Sequence, residues 1–281
     1  MDSMLYNDQL VKRDRIIDIE DRGYQFGDGV YEVIGVYDGQ PFLLDDHMHR
    51  LQRSAREIRL TLPFEVNSLK TNLQKLIEAN GLNEGVIYLQ VSRGVAPRLH
   101  DFPGGKTQAV TIAYTLEEER KTKLEDNGGT AMLTEDIRWL RCDIKTLNLL
   151  PNVLAKQEAV ENGAVEAILH RGDTVTEASA SNVFIVKNGE LYTHPANNYI
   201  LNGITRQTII QLCGELGLNV HEEAFTVETL LKADEVFISA TKMDIAPIVE
   251  VDGRTIGKGK PGSVTRQLVK SFRALYDKKK A

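Results

Sequence analysis

A lysine, a carboxylate and a glycine-led helix start follow one another along the second half of this 281-residue chain. The lysine is Lys145, the carboxylate is Glu177, and the helix start is Gly203-Ile204-Thr205. A partly desolvated lysine amine is a nucleophile toward carbonyl carbons. A carboxylate can keep a pyridine nitrogen protonated, and the free N–H groups of a helix N-terminus bind phosphate. A binding site for pyridoxal 5′-phosphate needs these three groups.

Short strands alternate with helices in the first part of the chain. Residues 30–37 and 40–44 flank an Asp38-Gly39 turn, and this pattern predicts a β-hairpin. Asp46 follows, and we expect it to cap a helix whose apolar residues share one face. The alternation predicts an α+β unit.

The second part of the chain contains the three chemical groups. Residues 181–186 and 190–193 flank Asn188-Gly189 and predict another hairpin. We expect a strand to lead to Lys145 and a helix to begin at Ile204.

The length of the chain favours about two domains. Residues 117–129 are polar and charged and end in two glycines, so the connection between the domains is expected near their start. We therefore expect a two-domain α/β (α+β) fold. A smaller N-terminal α+β domain would cover residues 1–118, and a larger C-terminal domain over residues 119–281 would carry Lys145 and the phosphate-binding segment.

Composition argues against several classes of protein. The net charge is −6, and no basic stripe occurs apart from the terminal Lys278-Lys279-Lys280, so nucleic acid is not an expected partner. No apolar run is long enough to span a membrane, and the N-terminus does not resemble a secretory signal. Cys142 and Cys213 have no ligand spacing, which favours a reducing cytoplasm and argues against a disulfide framework or a metal site.

Each chemical group also has a plainer interpretation when it is taken alone. Lys145 could extend from a strand edge to the solvent, as many lysines do. Glu177 could be a solvated loop glutamate, although the small residues 178–181 that follow it would let a flat ring approach the backbone. Thr205 could cap its helix, with or without a phosphate.

The spacing of the whole segment decides between these interpretations. Glu177 is followed by Asn182-Val-Phe184, by Leu191-x-Thr193 and by Leu201-x-Gly203. This order resembles the signature of the class IV aminotransferases, which are fold-type IV pyridoxal-phosphate enzymes. The resemblance covers essentially the whole chain. It implies that Lys145 forms the Schiff base with the cofactor and that Glu177 faces the ring nitrogen.

The same resemblance implies roles for further residues around the cofactor. It implies that Arg50 binds the phosphate of the cofactor. Ile204 and Thr205 at the helix start, and the hydroxyl of Thr241, would bind the same phosphate. It places Tyr31 on the O3′ side of the ring, and Leu201, Ser179 and Ser181 around the cofactor. The chain departs from the family where Ala178 and Ala180 stand in place of serine or glycine. We expect that departure to tune proton transfer or selectivity without removing cofactor binding.

A second arginine and a histidine narrow the range of expected substrates. Arg98 and His100 alternate on an extended segment and therefore point to one side. Such a pair can bind a carboxylate, although a polar loop between prolines is the plainer interpretation. The pair resembles the carboxylate trap of D-amino acid aminotransferases, in which it acts together with Tyr31. The trap is supplied across the interface of a homodimer with shared active sites.

The resemblance implies transfer of an amino group from a D-amino acid to a 2-oxo acid. The expected pair is D-alanine with 2-oxoglutarate, giving pyruvate and D-glutamate. Two alternatives share the fold, a branched-chain L-amino acid aminotransferase and an aminodeoxychorismate lyase. An alternative of another class is a cofactor-binding protein without turnover, against which the intact Lys145, Glu177, Thr205 and Arg98-x-His100 argue.

Overall fold

The computed structural model describes residues 2–14, 17–105, 107–119 and 122–277. The terminal lysines noted above lie outside these residues. The chain forms two units, Met1–Glu119 with Ile144–Leu149, and Arg120–Asp143 with Leu150–Ala281. Within the described ranges, every helix is too short or too polar to cross a bilayer.

The first unit contains, among its described residues, a six-stranded antiparallel sheet in the order β2-β1-β6-β5-β3-β4. Its strands are β1 (Ser3–Tyr6), β2 (Gln9–Lys12), β3 (Gly29–Tyr37), β4 (Gln40–Pro41), β5 (Gly85–Ser92) and β6 (Val110–Glu117). Its helices are α1 (Arg22–Phe26), α2 (Leu44–Glu57) and α3 (Val66–Asn80).

The alternation of side chains along β3 places the neighbouring residues Tyr31 and Glu32 on opposite faces of this sheet. Val30, Glu32 and Ile34 are completely buried in the core that α2 and α3 contribute to. Tyr31 and Val33 point to the other face and are half-buried. The strand therefore places a carboxylate in the core and a tyrosine ring on the opposite side.

The predicted Asp38-Gly39 hairpin is confirmed, with both turn residues at positive φ and β4 only two residues long. The prediction that Asp46 caps the next helix is wrong. Helix α2 begins at Leu44, and Leu43 takes the cap position with a φ of 51°. Asp46 lies inside the first turn, where a negative charge still favours the helix N-terminus.

The second unit contains a nine-stranded mixed sheet in the described part of the chain, in the order β12-β11-β10-β13-β14-β7-β8-β9, with β15 paired to β14. Its strands are β7 (Gly129–Glu135), β8 (Glu166–Arg171), β9 (Thr174–Ala178), β10 (Asn182–Lys187), β11 (Glu190–Thr193), β12 (Val220–Glu222), β13 (Glu235–Ala240), β14 (Asp244–Val251) and β15 (Arg254–Thr255). Its helices are α4 (Thr122–Asn127), α5 (Leu150–Glu161), α6 (Ile204–Leu216), α7 (Val227–Leu231) and α8 (Ser263–Asp277).

Two predictions for the second unit are confirmed. Asn188 and Gly189 connect β10 and β11 with positive φ angles of 53° and 81°. Helix α6 begins at Ile204, directly after Gly203. The pairing of β10 with β13 sets Asn182 opposite Ser239, so both polar residues lie on one face of the sheet.

The segment that carries Lys145 differs from the expectation. Strand β7 ends at Glu135, and Ile144–Leu149 belongs to the first unit rather than to the larger one. The amide of Tyr31 donates to the carbonyl of Lys145 at 3.0 Å, and the amide of Leu147 donates to the carbonyl of Gly29 at 3.1 Å. This long-range backbone pairing ties the lysine to the start of β3, and no local sequence pattern encodes it.

Candidate active site

The lysine and the tyrosine of the first unit lie in direct contact. The Nζ of Lys145 lies 4.2 Å from the centroid of the Tyr31 ring. The Lys145 side chain is half-buried, and no ion pair with a carboxylate forms among the described residues. An aromatic face attracts an ammonium group but does not neutralise its charge. The amine is therefore positioned without being committed to a salt bridge.

Arg50 is fixed by a carboxylate in the core of the same unit. Its Nε and Nη2 donate to the two oxygens of Glu32 at 2.8 and 2.7 Å, and His47 Nδ1 lies 2.7 Å from Glu32 Oε2. Burial alone would raise the pKa of Glu32, but Arg50 and His47 outweigh it and lower that pKa to about 2. Burial lowers the pKa of His47. The network therefore holds the guanidinium of Arg50 charged and in one orientation.

Arg98 and His100 are brought together by a third residue. Both side chains are exposed. The guanidinium carbon of Arg98 lies 4.8 Å from the centroid of the Phe26 ring, and the His100 ring lies 5.6 Å from the same centroid. The predicted pair is thus gathered on one aromatic surface of the first unit.

Glu177 is the penultimate residue of β9 in the second unit and is buried. Its Oε1 accepts from Arg138 Nη1 at 2.5 Å, and its Oε2 accepts from Asn182 Nδ2 and from the amide of Leu201, both at 3.0 Å. Burial raises the pKa of Glu177, and Arg138 and the Leu201 amide oppose that rise by stabilising the charged form. A carboxylate has about four acceptor positions. Donors from the described part of the chain use three of them, so one remains for a further N–H donor.

Arg138 supports Glu177, and almost nothing in the sequence around it indicates this role. Its Nε and Nη2 both donate to Asp136 at 2.8 Å, and Arg171 and Thr176 also donate to Asp136. Burial raises the pKa of Asp136, but Arg138 and Arg171 outweigh it and lower that pKa to about 2. The only signal in the sequence is an Asp-x-Arg pair, which is common on protein surfaces.

The hydroxyls of Ser179 and Ser181 serve the turn between β9 and β10. Both donate to the buried carboxylate of Glu166, Ser181 at 3.1 Å. The side-chain amide of Asn152 donates to the carbonyl of Ser179 at 2.7 Å. These hydroxyls hold the small-residue turn that follows Glu177, so any contact of this turn with a ligand falls to its backbone and small side chains.

The start of α6 offers unused hydrogen-bonding groups. Gly203 is its N-cap and supplies no side-chain bond to the first turn. Thr205 therefore lies inside the first turn and is not the cap residue. On β13, which packs against α6, the buried hydroxyl of Ser239 has no partner among the described residues, and Thr241 follows the end of the same strand. The free N–H groups at the start of a helix form a site suited to a phosphate.

Comparison with known proteins decides the family. The model of the family described as amino-transferase class IV matches residues 29–251. The chain belongs to this family. It is 50% identical to the D-alanine aminotransferase of Bacillus licheniformis over 94% of both chains. Its structure matches the branched-chain amino acid aminotransferase of Escherichia coli with a TM-score of 0.92 and 29% identity, over 98% of this chain and 94% of that one.

A second structural match bears on the cofactor. A branched-chain amino acid aminotransferase from T.th., complexed with N-(5′-phosphopyridoxyl)-L-glutamate, matches with a TM-score of 0.88 and 26% identity, over 98% of this chain and 93% of that one. Class IV aminotransferases use pyridoxal 5′-phosphate, and the residues present here fit it. Among the described residues, Lys145 pairs with no carboxylate and Glu177 keeps one acceptor position for a hydrogen bond. Helix α6 has no side-chain cap, and it packs against β13, where the Ser239 hydroxyl has no partner among the described residues.

The predicted residues fall into two groups, one in each unit. The first unit contains Tyr31, Arg50, Arg98, His100 and Lys145. The second unit contains Glu177, Ser179, Ser181, Leu201, Ile204, Thr205 and Thr241. Their roles toward the cofactor stay predictions.

Replacement of Gly203 by alanine tests the link between Glu177 and the helix start. A Cβ at Gly203 would lie 2.2 Å from Oδ1 of Asn182, whose amide donates to Glu177 and to the carbonyl of Leu201. The Asn182 amide must then move. We expect the Kd for pyridoxal phosphate, measured by equilibrium dialysis, to rise about 10- to 100-fold, as befits a lost hydrogen bond to a buried charged group.

Gly214→Ala is the matched control within the same helix. A Cβ there meets no atom within 4 Å. We expect this substitution to leave the Kd unchanged and to stabilise α6 by up to about 1 kcal/mol. Equal Kd values for the two variants would contradict the proposed link.

Proposed function

We propose that the chain catalyses the transamination of D-amino acids, with D-alanine and 2-oxoglutarate giving pyruvate and D-glutamate. The observation that carries this proposal is the 50% identity to a D-alanine aminotransferase over 94% of both chains. The structural matches to branched-chain amino acid aminotransferases reach only 26–29% identity. The branched-chain alternative is therefore not favoured.

Different residues of the chain have different roles in this reaction. Bound pyridoxal phosphate supplies an electrophilic aldehyde and a ring that stabilises negative charge at the substrate Cα. The Lys145 amine, held over Tyr31 without a competing carboxylate among the described residues, takes the Cα proton as general base and gives it back as general acid. Glu177 keeps the ring nitrogen protonated through its remaining acceptor position.

The phosphate is assigned to the start of α6 and to Arg50. Ile204 and Thr205 present the first N–H groups of the helix, and Thr241 adds a hydroxyl. Arg50 adds a positive charge whose direction is fixed by Glu32. Leu201 acts through its amide, which orients Glu177.

The substrate carboxylate is assigned to Arg98, His100 and Tyr31. Arg98 and His100 are exposed, which supports their use by a second copy of the chain in a homodimer. The neighbouring Leu99 is a large apolar residue with 60% of its surface exposed, and Tyr24 is 78% exposed. We therefore propose a homodimer in which each chain completes the site of the other.

A cytoplasmic location is proposed from the state of the cysteines. Cys142 and Cys213 are both free thiols in the structure. Free buried thiols suit a reducing compartment.

The half-reaction with single amino acids tests the proposed function. Stopped-flow absorbance of the holoenzyme should show the visible cofactor band disappear with D-alanine and persist with L-alanine. The signal requires no second substrate, so it isolates amino-donor specificity. A band that disappears with L-leucine or L-valine and persists with D-alanine would favour a branched-chain enzyme and overturn the proposal.

Complementation between two impaired variants tests the shared site. Lys145→Ala chains and Arg98→Ala chains are mixed, dissociated and reassembled. About half of the dimers are then mixed, and each mixed dimer has one site with both lesions and one with neither, so about a quarter of wild-type sites should return. If Arg98 served its own chain, every site would keep one lesion. Activity that stays at the level of the single variants, after subunit exchange is verified by mass, would rule out the shared site.

A further inference from the structure

Helix α1 is used by none of the roles assigned above, yet it contacts the segment that carries Arg98 and His100. Arg22 is buried and pairs with Asp28 at 2.8 Å. Its Nη1 donates to the carbonyl of Leu99 at 2.6 Å and to the carbonyl of Asp101 at 3.3 Å. A buried guanidinium therefore fixes the backbone on both sides of His100.

Phe26 is the last residue of α1, and its ring contacts the side chains of Arg98 and His100. The guanidinium carbons of Arg98 and of Arg22 each lie 4.8 Å from the centroid of its ring. The His100 ring lies 5.6 Å from that centroid, tilted by 49°. These distances are those of cation–π and aromatic contacts. One ring thus touches both members of the pair.

The helix is itself anchored at both ends, so Phe26 is a fixed surface. Asp21 caps its start by accepting from the amide of Gly23 at 2.7 Å, and Ser92 donates to Asp21 at 2.9 Å. At its other end Gly27 has a φ of 64°, and a Cβ there would lie 2.8 Å from the Oδ1 of Asn148. The Asn148 amide donates to the carbonyl of Gly27 at 3.1 Å.

We propose that Phe26 is a positioning residue that presets Arg98 and His100 as a carboxylate-binding pair. The inference rests on the proposed function, which gives this pair the substrate carboxylate. An exposed arginine loses much side-chain freedom when it binds a ligand. Contact with Phe26 restricts that freedom during folding instead, so less of the binding free energy is lost when the carboxylate arrives.

Substitution of Phe26 in the holoenzyme tests the proposal. Phe26→Leu keeps an apolar side chain but removes the ring. The ring has two contacts with the pair, and each lost contact at an exposed site corresponds to about 2- to 5-fold in affinity. The KM for D-alanine should therefore rise about 4- to 25-fold, with kcat within about twofold of wild type. Phe26→Tyr keeps the ring and should restore the wild-type KM. The visible spectrum of the bound cofactor should be the same in all three proteins.

A double-mutant cycle with Arg98→Ala separates positioning from general damage. Without Arg98, one of the two contacts of the ring with the carboxylate-binding pair is already absent, so Phe26→Leu should raise the KM about 2- to 5-fold less than it does in the wild-type background. Phe102→Leu is the matched control. The Phe102 ring also contacts guanidinium groups, those of Arg93 at 3.8 Å and Arg59 at 4.9 Å, but not that of Arg98. Its effect on the KM should be the same in both backgrounds.

Two results would overturn the positioning role. One is an equal effect of Phe26→Leu with and without Arg98, and the other is a Phe26→Tyr variant as impaired as Phe26→Leu. The wild-type protein reports separately on the proposed function through its half-reaction with D-alanine. If the wild type accepts a different amino acid, the double-mutant cycle is run on that substrate. Failure of the proposed function is thereby distinguished from failure of the positioning role of Phe26.

Discussion

A carboxylate removed from water must be matched by donors, and the structure around Glu177 follows from that requirement. Arg138, Asn182 and the amide of Leu201 supply three N–H groups to its two oxygens. Arg138 is in turn held by Asp136. Removing one partner of such a buried pair costs about 3–5 kcal/mol. The position and charge of Glu177 therefore depend on residues from several separate elements.

Buried carboxylates also hold three of the other residues assigned to the cofactor, namely Arg50, Ser179 and Ser181. Glu32, completely buried, orients Arg50 in the first unit. Glu166, equally buried, holds the turn of Ser179 and Ser181 in the second. In each case a side chain or a turn assigned to the cofactor site is held by a carboxylate that itself lies in the core. Both units thus use buried acidic residues as supports for functional groups.

Local chemistry made part of this arrangement predictable from the sequence. The Asn188-Gly189 turn and the start of α6 after Gly203 depend on a few adjacent residues, and both were predicted. The Arg138–Glu177 pair joins residues 39 positions apart, and it forms because β7, β8 and β9 are neighbours in the sheet. The placement of Lys145 beside β3 likewise depends on long-range backbone bonds. Residue patterns specify which side chains could do chemistry, whereas the strand order decides which buried charges meet.

We propose that the buried Glu177 stays ionised, because Arg138, Asn182 and the Leu201 amide donate to its oxygens, and that it keeps a proton on the ring nitrogen of the cofactor. The most direct measurement is ¹⁵N NMR of the holoenzyme reconstituted with pyridoxal phosphate labelled at that nitrogen. We expect a protonated nitrogen with a one-bond N–H coupling at neutral pH, and loss of that proton in Glu177→Gln. An unprotonated ring nitrogen in the wild-type enzyme would show that Glu177 does not have this role.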